Sequence, residues 1–146
     1  MKKSNLLKAF GLLTLLFVFA ACNRYEEGSN FSLISAKARL ANTWTISNIT
    51  YTSGGNTTTI TGTTGTMTIS KDGTWNSTTT YTVFGSQQTD TDSGTWTFSD
   101  DKTQVTFVDS NGDANISTII KLKNKELTLT NTDDNGNVTR IEYTGE

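Results

Sequence analysis

Met67-Thr68-Ile69-Ser70-Lys71-Asp72-Gly73-Thr74-Trp75 is the stretch that decides the fold. Apolar side chains alternate up to Ile69 and resume at Trp75. Asp72-Gly73 between them is a hairpin signal of the type I′ kind. The same grammar extends in both directions. Upstream, Trp44 and Ile46 alternate, then Ile49 and Tyr51 on the opposite parity, so the switch near Ser47-Asn48 predicts a bulge. Gly54-Gly55-Asn56 turns the chain, and Thr57 to Ser70 follows, interrupted at Gly62 and Gly65. Downstream, Thr74–Phe84, Gln88–Ser99, Val105–Phe107, Ala114–Leu122, Leu127–Leu129 and Val138–Thr144 are separated by Gly85-Ser86, Asp100-Asp101-Lys102, Asn111-Gly112, Lys123-Asn124-Lys125 and Asn135-Gly136. This gives eight strands if Thr57–Ser70 is one bent strand, and nine if Gly62–Gly65 divides it.

Connections this short make sequential strands antiparallel neighbours, which is a meander. An open meander would leave two long edges unpaired, so closure into an up-and-down antiparallel eight-stranded β-barrel is expected. A β-sandwich is the alternative, and its crossings require longer connections. Before the first strand, Phe31, Ile34, Ala38 and Ala41 recur at helical spacing, with Ser32 placed to cap a short N-terminal helix over Ser32–Leu40. Closure would set Tyr143 beside Trp44 at the end that this helix covers.

The 146 residues suffice for one domain and include 30 threonines, 12 Lys+Arg, 14 Asp+Glu, one cysteine, no histidine and no proline. Thr with scattered aromatics favours strands. One Cys and no His exclude a Cys/His zinc site, an internal disulfide, a Ser-His-Asp triad and a Cys-His dyad. The charge balance excludes an electrostatically driven nucleic-acid binder. Glu126, Arg140 and Glu142 share the parity opposite the apolar side and read as solvated face, which leaves no carboxylate pair for acid–base work. The chain therefore reads as a non-enzyme without a cofactor. Asp109-Ser110-Asn111-Gly112-Asp113 and Asp133-Asp134-Asn135-Gly136-Asn137 alternate oxygens as calcium loops do, but glycine falls fourth rather than sixth. They read as turns, and no metal site is assigned.

The N-terminus reads as an address. Lys2, Lys3 and Lys8 form a basic region, and Ala9–Ala21 is uncharged and too short to span a bilayer. Phe19-Ala20-Ala21-Cys22 then resembles a bacterial lipobox. That resemblance implies cleavage before Cys22, a diacylglycerol thioether on its sulfur and an acylated amine. Two or more acyl chains are what stable anchoring needs. The expected organisation is a lipoprotein signal peptide over 1–21, a lipidated tether over 22–30 and a barrel over 31–146. Loss of the leader leaves 9 basic against 14 acidic side chains, so the lipid rather than the protein surface is expected to hold the membrane. Glu26-Glu27 behind Cys22 resembles the surface-export signals of Bacteroidetes-type lipoproteins, and both the periplasmic face and the cell surface stay open as locations at the outer membrane.

Leu40-Ala41-Asn42-Thr43-Trp44 resembles the lipocalin opening, a short helix followed by a first-strand Trp. The order Met67-Thr68-Ile69, Asp72-Gly73-Thr74-Trp75, Gly94-Thr95-Trp96, then Leu122 to Leu129 is similar to that of the small lipocalin-like lipoproteins of Bacteroidetes, over Ser32–Thr144. This implies a lipocalin-type barrel in the cell envelope.

Trp44, Trp96, Phe98, Phe107 and Tyr143 are the candidate ligand or core-pocket residues. An eight-stranded barrel is only just wide enough to be filled by side chains or to hold one small ligand. Two functions follow. One is a lipid-anchored module holding a small apolar or amphipathic molecule in the barrel or at its mouth. The other is a filled, non-catalytic interaction lipoprotein whose loops bind an envelope protein or glycan. With few charges expected inside, a guest should be neutral or amphipathic, its polar end at the mouth. Lys121, Lys123 and Lys125 read as a solubilised turn, and Thr78-Thr79-Thr80 as solvent-facing strand.

Overall fold

The computed structural model describes residues 25–27 and 33–146. Alternating apolar side chains and turn residues fold the described residues into one short helix and nine strands. These are α1 (Ala36–Leu40), β1 (Thr43–Ser53), β2 (Asn56–Thr59), β3 (Thr64–Ile69), β4 (Thr74–Val83), β5 (Ser86–Phe98), β6 (Gln104–Asp109), β7 (Ala114–Leu122), β8 (Glu126–Thr132) and β9 (Val138–Gly145). Every pairing between these strands is antiparallel, and β1 pairs with β9 from Trp44–Gly145 to Thr52–Val138. The sheet is therefore a closed barrel, as expected, and the sandwich alternative is excluded. β2 and β3 both pair with β1 on its other side, β2 over Thr50–Ser53 and β3 over Thr43–Thr45. They occupy one position in the barrel, broken near Gly62, so eight strand positions close the ring. The predicted bulge lies between Ile46 and Asn48. A second bulge, between Ile119 and Lys121, lets both Ile119 and Ile120 be buried.

The turn chemistry differs in detail from the sequence reading. At Asp72-Gly73 only Gly73 has positive φ, and Gly73 N donates to Ser70 O at 3.2 Å while Ser70 N donates to Thr74 O at 2.9 Å. This is a three-residue loop with a left-handed glycine, not a type I′ pair. Asp109–Asp113 and Asp133–Asn137 repeat that closure. Positive φ at both central residues falls instead on Gly54-Gly55 and on Phe84-Gly85. Phe84, fully exposed, tips the β4–β5 hairpin. Only Gly94–Phe98 of β5 pairs with β6, so the first part of β5 runs on beyond the barrel rim.

The helix starts later than expected. Ser35 rather than Ser32 is its N-cap, with Oγ accepting from Ala38 N at 3.2 Å. Buried Ala36 and Leu40 turn inward over one end of the barrel. Arg39 Nη1 donates to Leu122 O at 2.6 Å, and Trp44 Nε1 to Leu40 O at 2.8 Å, which fixes α1 there. Beneath it lie Trp44, Met67, Ile69, Trp96, Val105, Ile119, Leu122 and Leu127. The cross-strand partner of Trp44 is Gly145, and Tyr143 pairs with Ile46. A Cβ on Gly145 would meet the indole at 2.8 Å, so the glycine makes the space that the sequence reading had given to Tyr143.

Tyr25–Glu27, read as tether, lies against this same end. Tyr25 is buried in the core cluster. Glu27 N donates to Ile120 O at 2.8 Å, and the Glu27 carboxylate pairs with Arg140 at 2.9 Å and Lys121 at 3.3 Å. Lys121 and Lys123 both reach Glu126, at 3.3 and 3.1 Å. Arg140 and Glu142, 3.0 Å apart, sit on the outer face as their parity required. Residues 1–24 and 28–32, which include the expected leader, Cys22, most of the expected tether and the expected helix start at Ser32, lie outside the described residues.

Candidate functional site

Because α1, Trp44 and Trp96 crowd one end, the interior is filled only part-way. Beyond them a cavity of about 660 Å³ opens toward the other end. Every barrel position contributes to it: Ile46 and Ile49, Met67, Trp75, Ser77 and Thr79, Asp92, Phe107 and Asp109, Asn115 and Ser117, Leu129 and Asn131, Thr139, Ile141 and Tyr143. Period-2 alternation dictates this lining, since inward positions on neighbouring strands stack in rings. The apolar members lie toward the filled end and the polar ones toward the opening.

The five aromatic residues expected in the interior divide between its two parts. Phe107 and Tyr143 line the cavity. Trp44 and Trp96 are buried in the filled end, with Phe98 packed against it. Trp96 Nε1 donates to Ser70 O at 2.9 Å, and its ring meets Phe98 edge-on at 5.3 Å. Trp75 lines the cavity and packs edge-on against Phe107, with ring centroids 5.3 Å apart. Its Nε1 donates to Val108 O at 3.4 Å. Burial alone pushes the Tyr143 phenol up to about 12. Among the described residues no hydrogen bond reaches its hydroxyl.

Three polar features of the cavity were not assigned from sequence. Ser117, Asn115 and Asn131 form a cluster on β7 and β8: Ser117 Oγ donates to Asn131 Oδ1 at 2.9 Å, and Asn131 Nδ2 donates to Asn115 Oδ1 and to Ile116 O. Thr79, expected to face solvent, lines the cavity with Ser77. Asp92, Asp109 and Asp113 also line it, which corrects the expectation of a nearly uncharged interior. The signal was present in parity, since Asp109 follows Val105 and Phe107 by twos, and Asp92 precedes Gly94 and Trp96. Asp109 does turn work as well. Its Oδ1 accepts from Asn111 N at 2.8 Å and Asp113 N at 2.9 Å. These bonds, that from Asp113 first, hold its carboxyl below the usual carboxylate range. Asp133 likewise accepts from Asn135 N and Asn137 N, both at 2.9 Å, so both Asp-rich loops use their carboxylates on their own backbone, as turns do.

No family model matches the chain, and no curated protein matches it. Among solved structures, the chain is similar to bovine odorant binding protein in its complex with undecanal. The two share 18% sequence identity at a TM-score of 0.47, over 83% of this chain and 77% of that one.

Proposed function

We propose that the chain is a lipid-anchored, non-catalytic binding protein of the bacterial cell envelope whose barrel holds one small amphipathic molecule, apolar part inward and polar part at the mouth. The observation that carries this reading is the cavity. Its volume, about 660 Å³, lies within the range of small-molecule sites, roughly 300–1,000 Å³. Its floor of Trp75, Phe107, Leu129, Ile141 and Tyr143 is apolar and its rim polar, the division such sites use to fix orientation. This supports a holder over a solid barrel that acts through its loops.

The envelope reading rests on Phe19-Ala20-Ala21-Cys22 and on the likeness to lipocalin-like lipoproteins of Bacteroidetes. The docked segment adds support. Tyr25 is a fixed point three residues from Cys22, and three extended residues reach about 10 Å. Acyl chains on Cys22 would hold the α1 end close to the bilayer and leave the mouth facing away.

Native mass spectrometry of the full chain isolated from cell envelopes tests the binding reading, paired with Ser77→Trp, which places an indole in the cavity. The expected result is a bound small molecule on the unaltered chain and none on the folded variant. A guest retained by Ser77→Trp would place the binding elsewhere.

A further inference from the structure

Charge differs between the two ends of this barrel. At the α1 end bases and acids are mixed: Lys37 and Arg39 lie on the helix, and the turns and strand ends carry Lys71, Lys102, Lys123 and Lys125 beside Asp72, Asp100, Asp101 and Glu126. The turns and strand ends of the open end carry Asp90, Asp92, Asp109, Asp113, Asp133 and Asp134, with no lysine or arginine among them. Arg140 lies on the outer face and is neutralised by Glu27 and Glu142 at 2.9 and 3.0 Å.

Three of these acids line the cavity, Asp109 half-buried and Asp92 and Asp113 exposed at its mouth. Among the described residues, Asp92, Asp109 and Asp113 have no ion-pair partner. The Tyr143 hydroxyl, in the same cavity, has no hydrogen-bond partner among the described residues. Like charges at the mouth of a low-dielectric cleft focus their field into it and repel one another. A guest with an anionic head would add to that repulsion. A neutral head would leave it unrelieved, and a cationic head would remove it.

We propose that the guest is an amphipathic cation: one ammonium or guanidinium head held by Asp92, Asp109 and Asp113, on an apolar body packed against Trp75, Phe107 and Tyr143. This deepens the binding reading above and rests on it.

The test compares three probes of equal chain length, octylammonium, octanol and octanoate, titrated into the full chain while tryptophan fluorescence is followed. Octylammonium should bind at least about tenfold more tightly than octanol, and octanoate more weakly than either. The preference should shrink as salt rises from about 0.02 M to about 0.5 M. Asp92→Asn with Asp113→Asn should bring octylammonium to within about threefold of octanol. Asp134→Asn, on an outer turn, should change nothing. Equal binding of all three probes, or a preference that neither salt nor the double variant moves, would overturn the cationic guest and leave the cavity reading standing. An equal loss in Asp134→Asn would reduce the effect to diffuse surface charge and overturn the assignment. Silence from all three probes would instead sink the cavity reading itself. Should the double variant fail to fold, the salt dependence and the octylammonium–octanoate ratio on the unaltered chain decide alone.

Discussion

Trp44→Ala removes the side chain that joins three parts of the barrel. The indole is fully buried on β1, faces Gly145 of β9 across the closing seam, and ties α1 down through Nε1 to Leu40 O at 2.8 Å. Truncating a buried Trp costs roughly 3–5 kcal/mol, because transfer energy is lost and a cavity is left. The stranded Leu40 carbonyl draws on a further term of about 1–3 kcal/mol, shared with that range where water enters. Against a typical stability of about 5–15 kcal/mol, the variant should lose about a third or more of its stability unless the parent lies near the top of that range. Trp44→Phe separates the terms. It keeps an aromatic ring in place and gives up the hydrogen bond and part of the volume, for a cost of about 1–3 kcal/mol. Urea unfolding followed by far-UV circular dichroism reads both, independently of the tryptophan signal being altered. A loss below about 1.5 kcal/mol in Trp44→Ala would refute the claim that this end is packed around the indole. A Trp44→Phe variant as stable as the parent would show that the bond to Leu40 contributes nothing.

Gly94→Ala should be far more damaging than Gly55→Ala. An added Cβ at 94 would lie 1.8 Å from Val108 O, whereas Gly55 has open space around it and only a positive φ. The expected losses are about 3 kcal/mol or more and about 1 kcal/mol, read by the same urea titration. Asp101 accepts from Ser99 Oγ and from both Thr103 N and Thr103 Oγ1, which lowers its carboxyl from 3.8 to about 2. A depressed folded-state value contributes stability above the unfolded one and loses it as pH falls. Asp101→Asn should therefore lower Tm at neutral pH, and its deficit should vanish between pH 3.8 and about 2, as checked by melting curves across that window. Cys22→Ser should abolish membrane sedimentation and leave an unprocessed precursor on a gel; mature-sized protein still in the membrane pellet would contradict lipidation.

The barrel was legible because its determinants are local. Asx-Gly and Gly-Gly pairs set the turns, two-residue alternation set the faces, and short connections left closure as the way to protect the edges. The parity switch at Ser47-Asn48 even gave the bulge. Alternation says which residues point inward, but not how far a side chain fills the ring. That depended on where the helix docked and on Gly145 admitting Trp44, both long-range. So Trp44 and Trp96 could not be told from Phe107 and Tyr143 as filler or lining. Nor could Trp75 be told from the other two indoles as the one beside the cavity. Asp92 and Asp109 were hidden because acids near turns are ordinarily solvated, and only the barrel's ring structure brings them to one mouth. Tyr25 was hidden because a single aromatic in a polar stretch carries no periodicity.

The most direct test of the account is to map where a neutral probe binds. Octanol titrated into the full chain, isotopically labelled at methyl and aromatic positions, should shift the NMR signals of Trp75, Phe107, Leu129, Ile141 and Tyr143 in a saturable way. Leu40, Leu122 and Leu127, in the filled end, should stay still. Shifts confined to outward-facing Ile116 and Phe84, or no saturable shift at any cavity residue, would contradict a barrel that holds its guest inside.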